Sequence, residues 1–538
     1  MVPYCYKAAN SDPDTLTFDQ AMADIEHKDK WLQAASSEIA ALESKGTWKE
    51  VPIDDAKTKV LPGTWVFKLK RTPDGTVSKY KGRYCVRGDM QEGDFDTHSQ
   101  VVSWSSIRVF LVLSITMGWH TCSIDFSNAF VQAVLDEPVW IHLPRGFRSN
   151  STQGKTCLQL KKSLYGLSVA PRLWNEHLIA ALKAEGFVQS KYDSCLLMKP
   201  NMMMVLYVDD AGISAKYKKD VDDLIDNLRN RGFELTREGS FSEFLGIKFV
   251  RDDIEGTITA TQQGLIQKII KTTNMEDSNP NWTPASTTAL GIDPDGEPMD
   301  EEWSYPSVVG MLLYLSTNTR PDITMAVSQV TLFNHSPKKS HATAVKMIIR
   351  YLKRTHDKGT VIRPTGTLEL DCWVDASFGN LYKVDPDDEP SAAKSREGYI
   401  ITLGGCPLLW RSRLQSTIAL STQEAEYSAL SHSMRTLLPI RAVVIELTIA
   451  LNLPHHLSAT IRSRVFEDNN GALLLATNQR ITSRTKHYLI QWHFFWTHVK
   501  DGRVVVERVS TNLQRADYMT KGMPRVPYET CRFYNQGW

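Results

Sequence analysis

No apolar run in the 538 residues approaches the ~20 needed to cross a bilayer, and the N-terminus has no secretory h-region. The eight cysteines are scattered without a CxxC pair, which argues against a disulfide framework and a zinc knuckle and fits a reducing compartment. Net charge is almost absent too, at +1. No global basic field therefore advertises nucleic acid, and a polyanion would have to be held by local patches, with acidic sites elsewhere cancelling the sum. What is present is ordinary for a globular chain, 42% hydrophobic and 23% charged residues, over a length that suits several domains. The expectation is a soluble intracellular protein that is not secreted.

The richest stretch is Met202–Asp210, where an apolar, strand-forming run delivers two adjacent carboxylates and then dissolves into Ala211-Gly-Ile-Ser214. It reads as a buried hairpin with Asp209 and Asp210 at its turn. Adjacent acids in an apolar setting repel each other unless a cation neutralises them, and carboxylate oxygens suit Mg²⁺. An ordinary Asp-Asp turn is the competing reading. A metal site would need a further acid from elsewhere, and Asp125, at the end of a predicted short strand, is available.

Along the chain, Trp31, Ala35, Ile39 and Leu42 fall on one face of a helix that stops near Gly46. The segments Thr64–Arg71 and Val77–Val86 flank Pro73-Asp-Gly75 and read as a hairpin. It carries Lys68, Lys70, Arg71, Lys79, Lys81, Arg83 and Arg87 interleaved with Trp65, Phe67, Tyr80 and Tyr84. That mixture suits either a solvated face or a phosphate- and base-contacting one. Ser105–Trp119 reads as an apolar helix, Lys219–Arg231 as an amphipathic one, and Phe241–Val250 as a strand bent at Gly246. Residues 274–302 form a polar loop, followed by a helical stretch Tyr305–Phe333 interrupted near Pro321 and a helix His341–Arg354. After Thr367 the pattern turns to three strands, a helix over Thr422–Ala450 with a break or kink at Pro439, a strand ending at Asp468, a short helix, a helix near His487–Val499, a strand and a final helix from about Leu513. That order makes a self-contained α/β module.

Ten motifs in order carry a resemblance. They are Gly63-Thr-Trp-Val-Phe-Lys68, Tyr80-Lys-Gly-Arg83, Asp125-Phe-Ser-Asn-Ala-Phe130, Lys162-Ser-Leu-Tyr-Gly-Leu167 with Ala170-Pro-Arg172, Tyr207-Val-Asp-Asp210, Phe244-Leu-Gly246, Thr319-Arg-Pro-Asp322, Ala419–Tyr427, Arg484-Thr-Lys-His487 and Ala516–Lys521. Over roughly residues 17–525 the chain resembles the reverse transcriptase and ribonuclease H portion of Ty1/copia-type retrotransposon Pol polyproteins. The resemblance implies an α/β (α+β) fold: a right-hand polymerase with fingers, palm and thumb, followed by a ribonuclease H-like domain. The expected divisions are 1–16 linker remnant, 17–265 fingers and palm, 266–365 polar loop with helical thumb or connection, and 366–538 ribonuclease H.

It also implies roles. Asp125, Asp209 and Asp210 become the polymerase metal ligands, with two Mg²⁺ (or Mn²⁺) ions per active site. Lys81 and Arg83 would grip the triphosphate, Phe130 would block a 2′-hydroxyl, and Tyr165 and Gly166 would pack around the nascent base pair. Phe244, Leu245 and Gly246 match the primer grip; for Tyr165 and Leu245 core packing is the alternative. Asp375, Glu426, Asp468 and Asp517 become the ribonuclease H ligands. Glu424 rivals Glu426, but two residues turn a helix by roughly 200° and only one can face the site. His487, His493 and His498 read as structural or RNA-contacting. Implied partners are an RNA template, a DNA primer, their hybrid, deoxynucleoside triphosphates, and integrase or capsid proteins of the same element, with no membrane; the implied location is a cytoplasmic virus-like particle or the nucleus. Ser168 and Ser377 depart from the family pattern, where Lys and Asp are usual. With no integrase or protease signature upstream, the expectation is a processed-product equivalent or a truncated element. The rival reading is a degenerate or domesticated retroelement protein that binds nucleic acid without catalysis; seven intact carboxylates speak against it.

Overall fold

Helix α1 (Lys28–Ser44) buries Trp31, Ala35, Ile39 and Leu42, the stripe of a helix laid on a sheet. It packs on the hairpin of β1 (Gly63–Arg71) and β2 (Val77–Val86). The computed structural model describes residues 14–538 apart from 72–76, 94, 148, 150–154, 380, 383, 387–388, 459 and 479–493. A short strand, Thr15–Thr17, adds to β1 and so straddles the edge expected for the linker remnant.

Helix α2 (Trp104–Thr116) starts at Ser103, whose hydroxyl accepts the Ser106 N–H. It is buried continuously from Ser106 to Ile115 and leads into β3 (His120–Phe126). After α3 (Ala170–Ala184) come β4 (Val188–Gln189), β5 (Leu196–Lys199), β6 (Met202–Tyr207), β7 (Asp210–Ala215), α4 (Lys218–Asn230) and β8 (Leu235–Gly239). They form one antiparallel sheet in the order β8-β3-β7-β6-β5-β4. Met202 to Leu206 are all buried because α2 covers one face of the central strands and the sheet has packing on the other. That is why β6 lacks the alternation of a half-exposed strand.

The chain then differs from expectation. The segment Phe241–Val250 is a hairpin rather than a bent strand: β9 (Glu243–Phe244) and β10 (Ile247–Asp252) pair across Leu245 and Gly246, with φ of 52° and 70°. Two consecutive left-handed residues reverse the backbone instead of bending it. β11 (Thr257–Thr261) extends this small sheet. Helices α5 (Gln263–Thr272), α6 (Tyr305–Asn318), α7 (Thr324–Val330) and α8 (Lys339–Arg354) follow, with no regular element among residues 273–304, and β12 (Thr360–Ile362) completes the order β9-β10-β11-β12.

The last part holds β13 (Leu370–Ser377), β14 (Arg396–Leu403), β15 (Cys406–Leu414), α9 (Thr422–Ala450), β16 (Ser463–Glu467), α10 (Asn470–Asn478), β17 (Val505–Arg508) and α11 (Arg525–Gln536). The sheet order is β15-β14-β13-β16-β17, antiparallel through β13 and parallel beyond it. α9 runs unbroken through Pro439. One missing donor is outweighed by the buried residues on both sides of it, Met434 and Leu437 before, Ile440, Val443 and Val444 after. The final helix starts at Arg525 rather than Leu513; before it stand two single 3₁₀ turns, Thr511–Leu513 and Asp517–Met519. Gln514 donates to the Val374 carbonyl at 2.8 Å, which pins this stretch to β13 and stops a helix from propagating. The expected helix near His487–Val499 lies largely outside the described residues, as do the motif Arg484–His487 and His493; Trp496–Lys500 is helical and holds His498.

Two buried cations join these parts. Arg108 of α2 donates to the carbonyls of Thr317 (2.6 Å), Asn318 (2.9 Å) and Leu408 (2.7 Å) and stacks 4.0 Å from the Trp410 ring. The carbonyls at the end of α6 carry the negative end of its dipole, so the cation needs no carboxylate there; burial alone pushes its pKa down to about 9. Arg320 pairs with Asp322 at 2.7 Å, both fully buried. Asp322 also accepts from Tyr351 (2.5 Å) and Gln536 (3.2 Å), and its carbonyl from Tyr528 (3.0 Å). The motif Thr319–Asp322 is thus the socket on which α11 rests.

Candidate active sites

The acidic turn after β6 is a two-residue connection, with Tyr207 paired to Asp210. Val208 holds φ at 53°, a left-handed conformation that β-branched residues avoid. Two hydrogen bonds pin it: the Trp174 indole donates to the Val208 carbonyl at 2.6 Å, and the Phe126 N–H to the Asp209 carbonyl at 2.8 Å. Strain of this kind persists only where the surroundings over-determine it. On the neighbouring strand Asp125 sits directly opposite Asp210, and paired residues project to the same face. The structure therefore brings Asp125, Asp209 and Asp210, each half-buried, to one edge of the sheet.

That edge borders a cleft of about 1030 Å³. One wall carries Asp125, Asp209, Asp210 and Glu238. The other carries Lys79, Lys81 and Arg83 from β2 with Lys30, Gln33 and Glu38 from α1. Burial pushes the Glu38 carboxyl up, against the pull of Lys81 and Arg83. Tyr165 closes one end, under the Arg83 guanidinium at 5.0 Å and edge-to-face with Phe130 at 5.1 Å. Burial, with Asp209 adding to it, pushes the Tyr165 phenol up to about 12. Gly166, at φ 91°, lies so close to β2 that a Cβ would stand 2.1 Å from the Val86 carbonyl oxygen, and the Val86 N–H donates to the Tyr165 carbonyl at 2.7 Å. The loop Lys162–Leu167 is thus clamped to the basic hairpin. Ser168, a departure from the family pattern, sits 3.4 Å from the Gly88 carbonyl. Phe244, Leu245 and Gly246 stand apart from this cleft, on the β9–β10 turn.

A second cluster lies in the last sheet. Asp375 comes from β13, Glu426 from the start of α9, and Asp468 from just beyond β16; one carboxylate oxygen of each lies within 4.8 Å of the others. Asp517 belongs to the neighbouring 3₁₀ turn rather than a helix and is not within that trio. Thr520 links the two, since its hydroxyl donates to Asp375 and lies 3.0 Å from the Asp517 carbonyl, while Lys521 pairs with the Asp517 carboxylate at 3.0 Å. Glu424 accepts the Leu420 N–H at 2.9 Å and serves the helix start, leaving Glu426 to face the cluster.

This cluster is electrostatically overloaded. Burial, and then the charge of Asp517, push Asp375 up to about 7. Burial also raises Glu426 and Glu467 well above the usual range, and raises Asp517. Glu467 escaped the sequence reading because Asp468 beside it matched a motif. Its signal was available, since period-2 alternation puts it on the inward face with Val465. One oxygen each of Glu426 and Glu467 is buried with no hydrogen-bond partner among the described residues. Oxygens in this state fit a hard divalent cation, which takes carboxylate ligands. Lys30, Gln33 and Glu38 of the first site were missed for a different reason: α1 was recognised only by its apolar stripe.

A pH dependence follows. Raised carboxyl pKa values mean that the folded chain holds more protons than the unfolded one between about pH 4 and 7. Stability of the metal-free protein therefore falls as pH rises through that window, and a divalent cation restores it above. Thermal melts in chelator should show a lower midpoint at pH 8 than at pH 5.5, recovered at pH 8 by millimolar Mg²⁺; identical melts with and without the cation would contradict the fit.

Comparison with known proteins gives one family for residues 45–287, the reverse transcriptases (RNA-dependent DNA polymerases). The chain is 32% identical, over 97% of its length, to the retrovirus-related Pol polyprotein from transposon RE2 of Arabidopsis thaliana, covering 34% of that protein. It is 31% identical over 94% to the corresponding polyprotein from transposon TNT 1-94 of Nicotiana tabacum, covering 38% of it. It is 24% identical over 95% to the transposon Ty1-BL Gag-Pol polyprotein of Saccharomyces cerevisiae, covering 29% of it. The chain thus spans about a third of the length of these curated relatives.

Proposed function

We propose that the chain belongs to the reverse transcriptases of Ty1/copia-type Pol polyproteins, and on that premise that it is an RNA-directed DNA polymerase with a second, ribonuclease H site. The observation that carries the polymerase reading is the cleft, which three carboxylates line together with Lys81 and Arg83. In this reading the β8-β3-β7-β6-β5-β4 sheet is the palm, α1 with β1 and β2 the fingers, and α5 to α8 the thumb and connection. The chain from about residue 366 onward is the ribonuclease H domain.

Lys81 and Arg83 bind the triphosphate of the incoming nucleotide, whose negative charge the acidic wall alone would repel. Arg83 lies over Tyr165, so its guanidinium is held ready rather than ordered on binding. Asp125, Asp209 and Asp210 would hold divalent cations that, when bound, supply Lewis-acid activation of the primer hydroxyl and neutralise phosphate charge. Gly166 lets Tyr165 sit against β2 at the place of the new base pair. Phe130 packs on Tyr165 and so presents a fixed ring rather than a free rotamer to the sugar. The second cluster, with Asp375, Glu426, Asp468 and Asp517, would bind the scissile phosphate of RNA in the hybrid by the same metal chemistry. An RNA template, a DNA primer and deoxynucleoside triphosphates are the substrates. The integrase and capsid proteins of the same element are the proposed partners, and a cytoplasmic virus-like particle or the nucleus is the proposed location.

The test is extension of a DNA primer on an RNA template with Mg²⁺, alongside cleavage of a labelled RNA–DNA hybrid. Well-folded protein that binds the primer–template without extending it would favour the non-catalytic reading instead. A narrower expectation concerns Phe130→Val. Opening space beside the sugar should cut the preference for deoxy- over ribonucleotides by about 10- to 100-fold, read as the ratio of kcat/KM values; an unchanged ratio removes Phe130 from that role.

A further inference from the structure

The Leu245–Gly246 turn is held from two directions. Below it, Phe244 packs on Phe241 at 5.2 Å, and Phe241 presses on β7 at Gly212, where a Cβ would stand 2.4 Å from the ring. Gly212 is two residues from Asp210, so the hairpin is seated on the strand that carries the acidic turn. From the side, the hydroxyl of Tyr314 on α6 donates to the Leu245 carbonyl at 2.7 Å. Leu245 needs that support. Tight turns with left-handed φ at both central positions favour Asn-Gly or Gly-Gly, and a leucine at φ 52° pays a steric penalty that Asn or Gly escapes. Tyr314 is itself 42% exposed, and after burial the neighbouring Tyr207 phenol contributes to raising its pKa. The helix α6 and the turn therefore meet at this hydroxyl, with the phenol of Tyr207, the last residue before the acidic turn, near enough to act on it.

We propose that Tyr314 is a positioning residue for the primer strand: its hydroxyl holds the Leu245–Gly246 turn at a fixed height relative to Asp209 and Asp210. The inference rests on the polymerase reading and on the match of Phe244, Leu245 and Gly246 to the primer grip. It assigns Tyr314 no contact with reacting atoms. Its effect is on where the primer end rests, so binding of correctly placed primer should suffer while chemistry on that fraction does not.

The variant is Tyr314→Phe, which keeps the ring on α6 and deletes one hydrogen bond. The Kd for a fluorescent primer–template, measured by anisotropy, should rise about three- to tenfold, and KM for primer–template with it. The value of kcat should stay within about twofold, and the melting temperature should fall by no more than about 2 °C. Unchanged Kd and KM would overturn the inference, as would a fall in kcat alone or a drop in melting temperature that accounts for the loss. The two readings fail separately. Wild-type protein that binds primer–template but never extends it defeats the polymerase reading, while the Kd comparison between wild type and Tyr314→Phe still decides the role of Tyr314.

Discussion

Asp209→Asn is expected to lower single-turnover primer extension on the order of 10³-fold or more, a transition-state loss of about 4 kcal/mol, while leaving RNA cleavage within about twofold of wild type. The substitution is nearly isosteric, and the backbone beneath it is fixed by groups it does not touch. The Asp209 carbonyl accepts from Phe126 and the Val208 carbonyl from Trp174, so the turn keeps its shape. Because Asp209 is half-exposed at the cleft, an amide there is solvated and costs little stability. What disappears is one negative charge from a trio that also contains Asp125 and Asp210. Retention of more than about a tenth of wild-type extension would remove Asp209 from a ligand role. Parallel loss of RNA cleavage, in protein with an unchanged melting temperature, would show that the two clusters are not separate sites.

Much of this first site was legible. Met202–Leu206 is apolar at every position, which marks a strand covered on both faces, and the acids could then lie only at its end. The register that sets Asp125 opposite Asp210 was not legible, because pairing between β3 and β7 joins residues far apart in sequence. Local pattern also misjudged the β9–β10 hairpin. A leucine followed by glycine is a poor signal for a tight reversal, and the support from Tyr314 comes from another helix. Pro439 and the 3₁₀ turn at Asp517 show the same effect from opposite sides. Tertiary packing carried α9 through a residue that breaks isolated helices, while the Gln514 bond to β13 interrupted a stretch expected to be helical. Arg108 illustrates the limit most plainly: a lone arginine in an apolar helix gives no sign that its partners are three carbonyls some two to three hundred residues away.

The two clusters solve the same electrostatic difficulty differently. The acids of the first stand at an open cleft that Lys81 and Arg83 also line. Of the second, Asp375, Glu426, Glu467 and Asp517 are buried and only Asp468 is half-exposed, so their repulsion is little screened by water, and the raised pKa values of the four buried acids record the cost. Such a site is unfavourable without a bound cation, and removing one charge should stabilise it.

Glu426→Gln makes that argument testable in both directions. The glutamine keeps the size of the side chain and gives it donors that can reach the neighbouring carboxylates of Asp375 and Asp468, to whose oxygens Glu426 now lies within 4.8 Å. The unpartnered oxygen of Glu426 is the atom that gains. In chelator at pH 8 the variant should therefore melt higher than wild type, and its stability should vary less between pH 5.5 and 8, because one of the protons held by the folded state is gone. The stabilisation that wild type draws from Mg²⁺ should shrink. Hydrolysis of RNA in a hybrid should fall on the order of 10³-fold or more, since a ligand of the proposed metal site is lost, with primer extension unaffected because the first cleft shares none of these residues. A variant that melts lower than wild type in chelator would mean that the glutamate is structurally satisfied and the cluster is not strained. A variant that still cleaves RNA within tenfold of wild type would assign the second position to another acid, and Glu467, buried beside the same cluster, would be the one to replace next.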